Sequence, residues 1–152
     1  MKTKVFIGTS LDGFIARKNG NFDWLSSFAN EEVVNDYKVF LKGIDAILIG
    51  RNTYETVIRF AEWPYEQKVF VVSKSIKQVP EKLTKNVTIL AMKPAEILHY
   101  LSEEGFSDIY VDGGKLIQSF LKEDLIDEMA ISKAPVLIGS GIPLFADLDI
   151  DL

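Results

Sequence analysis

The chain has no cysteine and a single histidine among its 152 residues. Without cysteine, neither disulfide bonds nor thiolate metal sites can form, and this absence suits a reducing cytoplasm. The histidine, His99, lies beside apolar residues of a predicted helix, where a structural or solvent-facing role is the ordinary one. We therefore expect no metal site.

Long apolar runs and basic clusters are also missing. Lysine and arginine number 17 against 22 aspartate and glutamate residues, a net charge of −5 without a basic stripe, which argues against nucleic-acid binding. No apolar run approaches the length of a membrane span, and Met1 is followed by a charged strand pattern instead of a signal segment. We expect a cytoplasmic protein that binds neither membranes nor nucleic acids.

The sequence does contain enough apolar material for one core. Hydrophobic residues make up 47% of the chain, and no repeat, linker or low-complexity segment divides it. We therefore expect a single domain that spans residues 1–152.

Strand and helix patterns alternate along that domain. Apolar runs predict strands over residues 4–9, 44–49, 68–73, 87–92, 108–111, 125–132 and 135–138. Helical spacing predicts helices over 31–42, from 53, over 94–104 and after the glycine pair at 113–114. In the first helix, the residues expected to face inward are Val33, Val34, Tyr37, Phe40 and Leu41. Because no helix separates the last two strands, they should pair antiparallel, which gives an α/β domain with a mixed sheet.

Two of the predicted strands are followed at once by glycine and then by a helix. Gly50 follows the strand over 44–49, and Gly113-Gly114 follows the strand over 108–111. Such a junction leaves unpaired backbone N–H groups at the helix start, which favour an anion, and Arg51 adds a charge suited to phosphate. One junction alone is explained equally well as an ordinary turn, but two indicate a polyanionic ligand at the carboxyl edge of the sheet.

A third strand end carries Ser73-Lys74-Ser75, which suits an additional phosphate group. A dinucleotide fits this arrangement, although the chain has no G-x-G-x-x-G fingerprint of the standard Rossmann fold.

Four sequence motifs follow one another along nearly the whole chain. They are Ser10-Leu11-Asp12-Gly13-x-Ile15-Ala16, Asp45-Ala46-x-Leu48-x-Gly50-Arg51-x-Thr53-Tyr54-Glu55, Val111-Asp112-Gly113-Gly114 and the run from Pro135 to Phe145. In this order they resemble the dihydrofolate-reductase-like family, and in particular the reductase domain of the bifunctional riboflavin-biosynthesis deaminase-reductase.

The resemblance implies a three-layer α/β fold. Helices would flank a central mixed, mostly parallel sheet of about eight strands, with antiparallel C-terminal strands. It also implies NADPH as the cofactor, a small-molecule substrate reduced at a CH–OH or CH–NH group, and often a homodimer. The family's deaminase domain, with its zinc-binding histidine and cysteine residues, is absent from this chain, and this departure puts a primary role in riboflavin synthesis in doubt.

The family's functional positions carry over residue by residue. The cofactor phosphates would lie against Gly50, Arg51 and Thr53, the ribose 2′-phosphate against Ser73 and Lys74, and the pyrophosphate against Gly113, Gly114, Lys115 and Leu116. The nicotinamide and substrate side would be lined by Ser10, Asp12 and Asp112. Asp12 and Asp112 are the candidates for a catalytic proton relay.

Some of these candidates also have ordinary structural explanations. Asp12 precedes Gly13 and fits a turn equally well, and Trp24 fits the core as well as a wall of the substrate pocket. Asp112 ends a buried strand, where a carboxylate is unusual unless it caps the next helix. The segment Gly139-Ser140-Gly141 fits a bulge, a dimer contact or the pocket mouth.

Three functions remain open at this stage. The first is an NADPH-dependent reductase of a small imine- or carbonyl-containing molecule, near the riboflavin-pathway reductases. The second is a folate reductase, and the third is a nucleotide-binding protein without turnover. Fold alone cannot separate them.

Overall fold

The computed structural model describes residues 1–145, 147–149 and 151–152. Its strands are β1 (Lys2–Ser10), β2 (Phe14–Ala16), β3 (Ala46–Gly50), β4 (Lys68–Val72), β5 (Val87–Leu90), β6 (Asp108–Asp112), β7 (Glu128–Ala134) and β8 (Ile142–Pro143). Its α-helices are α1 (Asp23–Ser26), α2 (Glu31–Lys42), α3 (Arg51–Val57), α4 (Pro94–Glu103) and α5 (Gly114–Lys122), and a 3₁₀ turn covers Glu81–Leu83. Within the described residues, no helix combines the length and the apolar character that a bilayer span needs.

The main sheet has six strands in the order β5-β4-β3-β6-β1-β7, and all its recorded pairs are parallel. β3 lies near its middle, where Ala46, Ile47, Leu48 and Ile49 are all 0% exposed. Successive side chains of a strand point to opposite faces. Leu48 accordingly packs with the buried residues of α4 and α5, while Ile47 and Ile49 pack against α3 and the inner side of α2. The predicted three-layer α/β fold is confirmed. The expectation of a mixed central sheet of about eight strands is wrong, because the described antiparallel pair lies in a separate two-stranded sheet and leaves six parallel strands.

The antiparallel pairing at the C-terminal end has different partners from those predicted. Residues 135–138 form no strand, and β7 pairs parallel with β1 in the register Val5↔Met129. The reason is that α5 carries the chain back across one face of the sheet, so β7 begins at the same edge as β6. The antiparallel pair is β2 with β8, which forms a small separate sheet.

Helix α2 begins and ends where the sequence predicted. The Asn30 side chain accepts the Val33 N–H at 2.9 Å, and Gly43 follows the last turn. The expectation that Val34 faces inward is wrong, because its side chain lies beside the packed face and is 42% exposed. Tyr37 and Phe40 do face inward and contact Phe6 of β1, with ring centroids 5.4 and 5.2 Å apart.

Candidate functional site

A cleft of about 820 Å³ opens at the carboxyl edge of the main sheet. It lies where β3 and β6, which are neighbours in the sheet, end and the chain continues into α3 and α5. Other parts of its lining come from β1, β2, α2 and the short segment around α1. The predicted ligand-binding residues that line this cleft are Gly50, Arg51, Thr53, Asp112, Gly113, Gly114, Lys115 and Leu116.

The glycine pair before α5 forms one end of the cleft. Gly113 has a φ of 105°, a conformation that other residues rarely adopt, and a Cβ there would lie 2.7 Å from the Thr53 Oγ1. A Cβ on Gly114 would lie 2.5 Å from the Ile15 Cδ1. The two glycines therefore let the start of α5 lie close against both α3 and β2.

This end of the cleft suits phosphate groups. Among the residues that the structure describes, no side chain caps the start of α3 at Gly50 or the start of α5 at Gly113. The first residues of both helices line the cleft, and Arg51 and Lys115 add exposed positive charges there. Backbone N–H groups and cations at a helix start are the usual partners of a dinucleotide's phosphates, so the residues at this end suit such phosphates.

Asp112 is the one acidic residue among the described residues that line the cleft. It is half-buried at the last position of β6. Burial raises the pKa of its carboxyl group to about 6, against smaller opposing effects of the Gly113 N–H and the Tyr110 hydroxyl. A carboxyl group with a pKa near the working pH can both release and accept a proton, which is what a general acid–base residue requires.

Tyr37 is a cleft residue that the sequence analysis assigned only to the packed face of α2. It lines the cleft, and burial together with the Asp112 charge raises the pKa of its phenol to about 12. Tyr110 lies beside it and donates its hydroxyl hydrogen to the Phe6 carbonyl at 3.0 Å. A phenol in the middle of an otherwise aliphatic and aromatic helix face is the signal that could have identified Tyr37.

Ser10 and Asp12 connect two loops by hydrogen bonds, and neither is among the described residues that line the cleft. The buried Ser10 hydroxyl donates to the Asp12 carboxylate at 2.6 Å and accepts the Phe14 N–H at 3.0 Å. Asp12 also accepts the Gly139 N–H at 2.8 Å. These hydrogen bonds hold the pKa of Asp12 below its usual range, and the bond from Ser10 has the largest effect. These bonds account for Asp12 without a ligand, and the proton relay through Asp12 or Asp112 stays a prediction.

The same bonds account for the glycine-rich segment near the C-terminus. Gly139 has a φ of 74° and is fixed by Asp12, and Gly141 packs against the backbone of Ala16. Ile142, which follows, pairs with β2 and lines the cleft. Of the three interpretations left open for this segment, these contacts favour the pocket mouth, since Ile142 lines the cleft directly after it.

Trp24, Ser73 and Lys74 lie outside the described cleft lining. Trp24 is buried in α1, and its Nε1 has no hydrogen-bond partner among the described residues. The buried Ser73 hydroxyl accepts the N–H groups of Ser75 at 3.2 Å and Ile76 at 3.1 Å, so it shapes the turn after β4. Lys74 is exposed at this same edge of the sheet, two residues after Val72, which does line the cleft. Its contact with a 2′-phosphate stays a prediction.

Comparison with known proteins agrees with this fold. The family model described as the RibD C-terminal domain matches residues 2–152 of the chain. YwjB of Bacillus subtilis (strain 168), whose name states no function, is 39% identical over 150 residues, which are 97% of this chain and 84% of YwjB.

Solved structures share the fold. A protein from Shewanella sp. PV-4, assigned by name to riboflavin biosynthesis, is 43% identical and has a TM-score of 0.92, covering 99% of this chain and 86% of that protein. The Thermotoga maritima deaminase/5-amino-6-(5-phosphoribosylamino)uracil reductase is 16% identical with a TM-score of 0.75, and the match covers 99% of this chain but 50% of that protein.

Proposed function

Because this chain belongs to the RibD C-terminal domain family, a family of reductase-like domains, we propose that it is an NADPH-dependent reductase of a small molecule. The observation that carries the proposal is the cleft itself. It combines two glycine-led helix starts with a half-buried carboxyl group, Asp112, directly before one of them. The first part suits a dinucleotide, and the second suits proton transfer.

Each residue of the cleft has a defined task in this proposal. Lys115, Arg51 and the N–H groups after Gly113 hold the pyrophosphate region, and Lys74 contacts the 2′-phosphate that distinguishes NADPH from NADH. When bound, NADPH supplies the hydride for the reduction. The Asp112 carboxyl group exchanges the accompanying proton with a nitrogen or oxygen of the substrate. Tyr37 and Phe6 exclude water from that proton transfer, since both line the same cleft as Asp112.

Catalysis explains Asp112 better than nucleotide binding without turnover does. Dinucleotide phosphates are anionic and gain nothing from a neighbouring carboxylate, which would repel them. A binding protein would therefore be better served by a neutral residue at the end of β6. A half-buried carboxyl group with a pKa of about 6 is instead the arrangement that proton transfer uses.

A thermal melt with NADPH tests the cofactor assignment. A ligand that binds only the folded state adds about 2.7 kcal/mol of stability at a hundredfold excess over its Kd, so the melting temperature should rise clearly. Lys115→Ala should reduce that rise, whereas Lys122→Ala should not, because Lys122 lies in the last turn of the same helix and away from the cleft. An unchanged wild-type melting temperature at millimolar NADPH would remove the basis of the proposal.

A further inference from the structure

The carboxyl edge of the main sheet carries a cation after each of four neighbouring strands. The strands are β6, β3, β4 and β5, and their register brings their ends side by side, in the pairs Ile49↔Asp112, Gly50↔Val72 and Val72↔Leu90. Because adjacent strands lie about 4.8 Å apart, the row covers about 15 Å. Each cation follows the end of its strand within three residues, and in the same order they are Lys115, Arg51, Lys74 and Lys93.

Lys77 adds a fifth cation to this row. The turn after β4 is closed by the Ser73 hydroxyl, which accepts the N–H groups of Ser75 and Ile76. Lys77 lies at the end of this turn, and its Nζ donates to the Lys74 carbonyl at 2.7 Å. The ammonium group of Lys77 is therefore held against the backbone of Lys74, at the same edge of the sheet.

Few carboxylates neutralise this row. Within the described part of the chain, Arg51 is the one member that forms an ion pair, with Glu55 at 3.9 Å on the same helix. The lysines of the turn after β4 and Lys93 are exposed to solvent. Glu96 is the acid in the first turn of α4, and it accepts the backbone N–H of Lys93 at 2.9 Å. The row therefore keeps most of its positive charge.

NADPH would occupy only part of the row, if the proposed function holds. That proposal assigns its pyrophosphate to Arg51 and Lys115 and its 2′-phosphate to Lys74, so Lys77 and Lys93 lie beyond the assigned groups, at the rim. Exposed rim charges add little affinity, because water and salt screen them, but they raise the rate at which a charged ligand arrives. The rate matters here because the whole chain carries a net charge of −5, which repels an anion at a distance.

We propose that Lys77 and Lys93 form a steering site that guides the 2′-phosphate of NADPH to Lys74 and so speeds its entry into the cleft. NADH carries phosphate only in its pyrophosphate region and gains less from these rim lysines. The preference for NADPH then has a kinetic part, set by Lys77 and Lys93, besides the contact that Lys74 makes. The sequence shows no basic stripe because the lysines stand singly along the chain, and the fold gathers them at one edge.

Stopped-flow association of NADPH, followed by the fluorescence of its nicotinamide, measures this steering. The double variant Lys77→Gln with Lys93→Gln should lower the association rate constant about threefold or more at about 20 mM salt, with little change in the dissociation rate constant. The loss should be smaller for NADH. It should fade at about 0.5 M salt, where the screening length is about 4 Å. A merely structural role of the two lysines would change the dissociation rate constant and would persist at high salt.

Two further variants identify the origin of the effect. The double variant Lys85→Gln with Lys122→Gln makes the same change in net charge at the opposite edge of the sheet, because Lys85 precedes β5 and Lys122 lies in the last turn of α5. It should leave the association rate constant nearly unchanged. Glu96→Gln retains an acceptor for the Lys93 N–H and removes a negative charge beside the row, so it should raise the rate constant.

The inference is overturned if the rim variant associates at the wild-type rate at low salt, if its loss persists at about 0.5 M salt, or if NADH loses as much as NADPH. An equal loss in the opposite-edge variant would also overturn it, because net charge alone would then explain the rates. Failure of the reductase proposal has a different result: the wild type would bind no NADPH at any salt concentration, and both proposals would fall. If NADPH binds and only the rates disagree, the steering site alone is wrong.

Discussion

Asp112 should make the folded protein less stable at neutral pH than an asparagine would. Its carboxyl group has a pKa of about 6 in the fold against 3.8 in the unfolded chain, because burial disfavours the charged form. An acid whose pKa is raised by folding stabilises the fold while it is protonated, and this contribution is lost as the pH rises through the folded value. Asp112→Asn removes the ionisable group, so the variant does not lose this stability as the pH rises.

The structure sets the size and the pH range of the effect. The difference between 3.8 and about 6 corresponds to about 3 kcal/mol. Because Asp112 is half-buried and water screens part of its charge, we expect a gain of about 1–3 kcal/mol for Asp112→Asn above pH 6. The gain should shrink from about pH 6 downward and vanish near pH 3.8, where the folded and the unfolded carboxyl groups are both protonated.

Urea denaturation of both proteins across this pH range measures the difference in the free energy of unfolding. Asp12→Asn is the matched control of opposite sign, since hydrogen bonds lower the pKa of Asp12. It should lose stability at neutral pH, and this loss should fade only as the pH falls from 3.8 through the lowered pKa of Asp12. The reasoning about Asp112 is refuted if Asp112→Asn is less stable than the wild type at neutral pH, or if its gain does not change with pH.

Three further predictions follow from the cleft. Gly113→Ala should cost about 1–3 kcal/mol of stability because Gly113 has a positive φ. Thr53→Ala should recover part of that cost, because it removes the Oγ1 that the new Cβ would meet. A double-mutant cycle by denaturation measures the coupling, and fully additive effects would contradict it. Lys74→Glu should weaken NADPH far more than NADH by calorimetry, whereas an equal loss would mean that Lys74 does not contact the 2′-phosphate. Dihydrofolate should be a poor substrate, because Glu31 is exposed and α2 lines the cleft with Tyr37, a phenol instead of a carboxylate. Turnover of dihydrofolate at about 1 per second or faster, lost in Glu31→Gln, would overturn this prediction.

The elements that the sequence predicted well are those fixed by local rules. β3 is a run of apolar residues covered on both faces, and the Asn30 cap and Gly43 mark both ends of α2. The glycine pair before α5 also follows a local rule, because only glycine tolerates the φ of 105° at Gly113. Each of these features can be found from a few neighbouring residues.

The features that the sequence did not predict depend on contacts between distant residues. No local pattern in residues 125–138 identifies β1 as the partner of β7. The pairing depends on where the chain reaches the sheet again after α5. The role of Asp12 depends on Gly139, which lies 127 residues further along the chain. Tyr37 has the spacing of a core residue, and only the folded structure shows that it also lines the cleft.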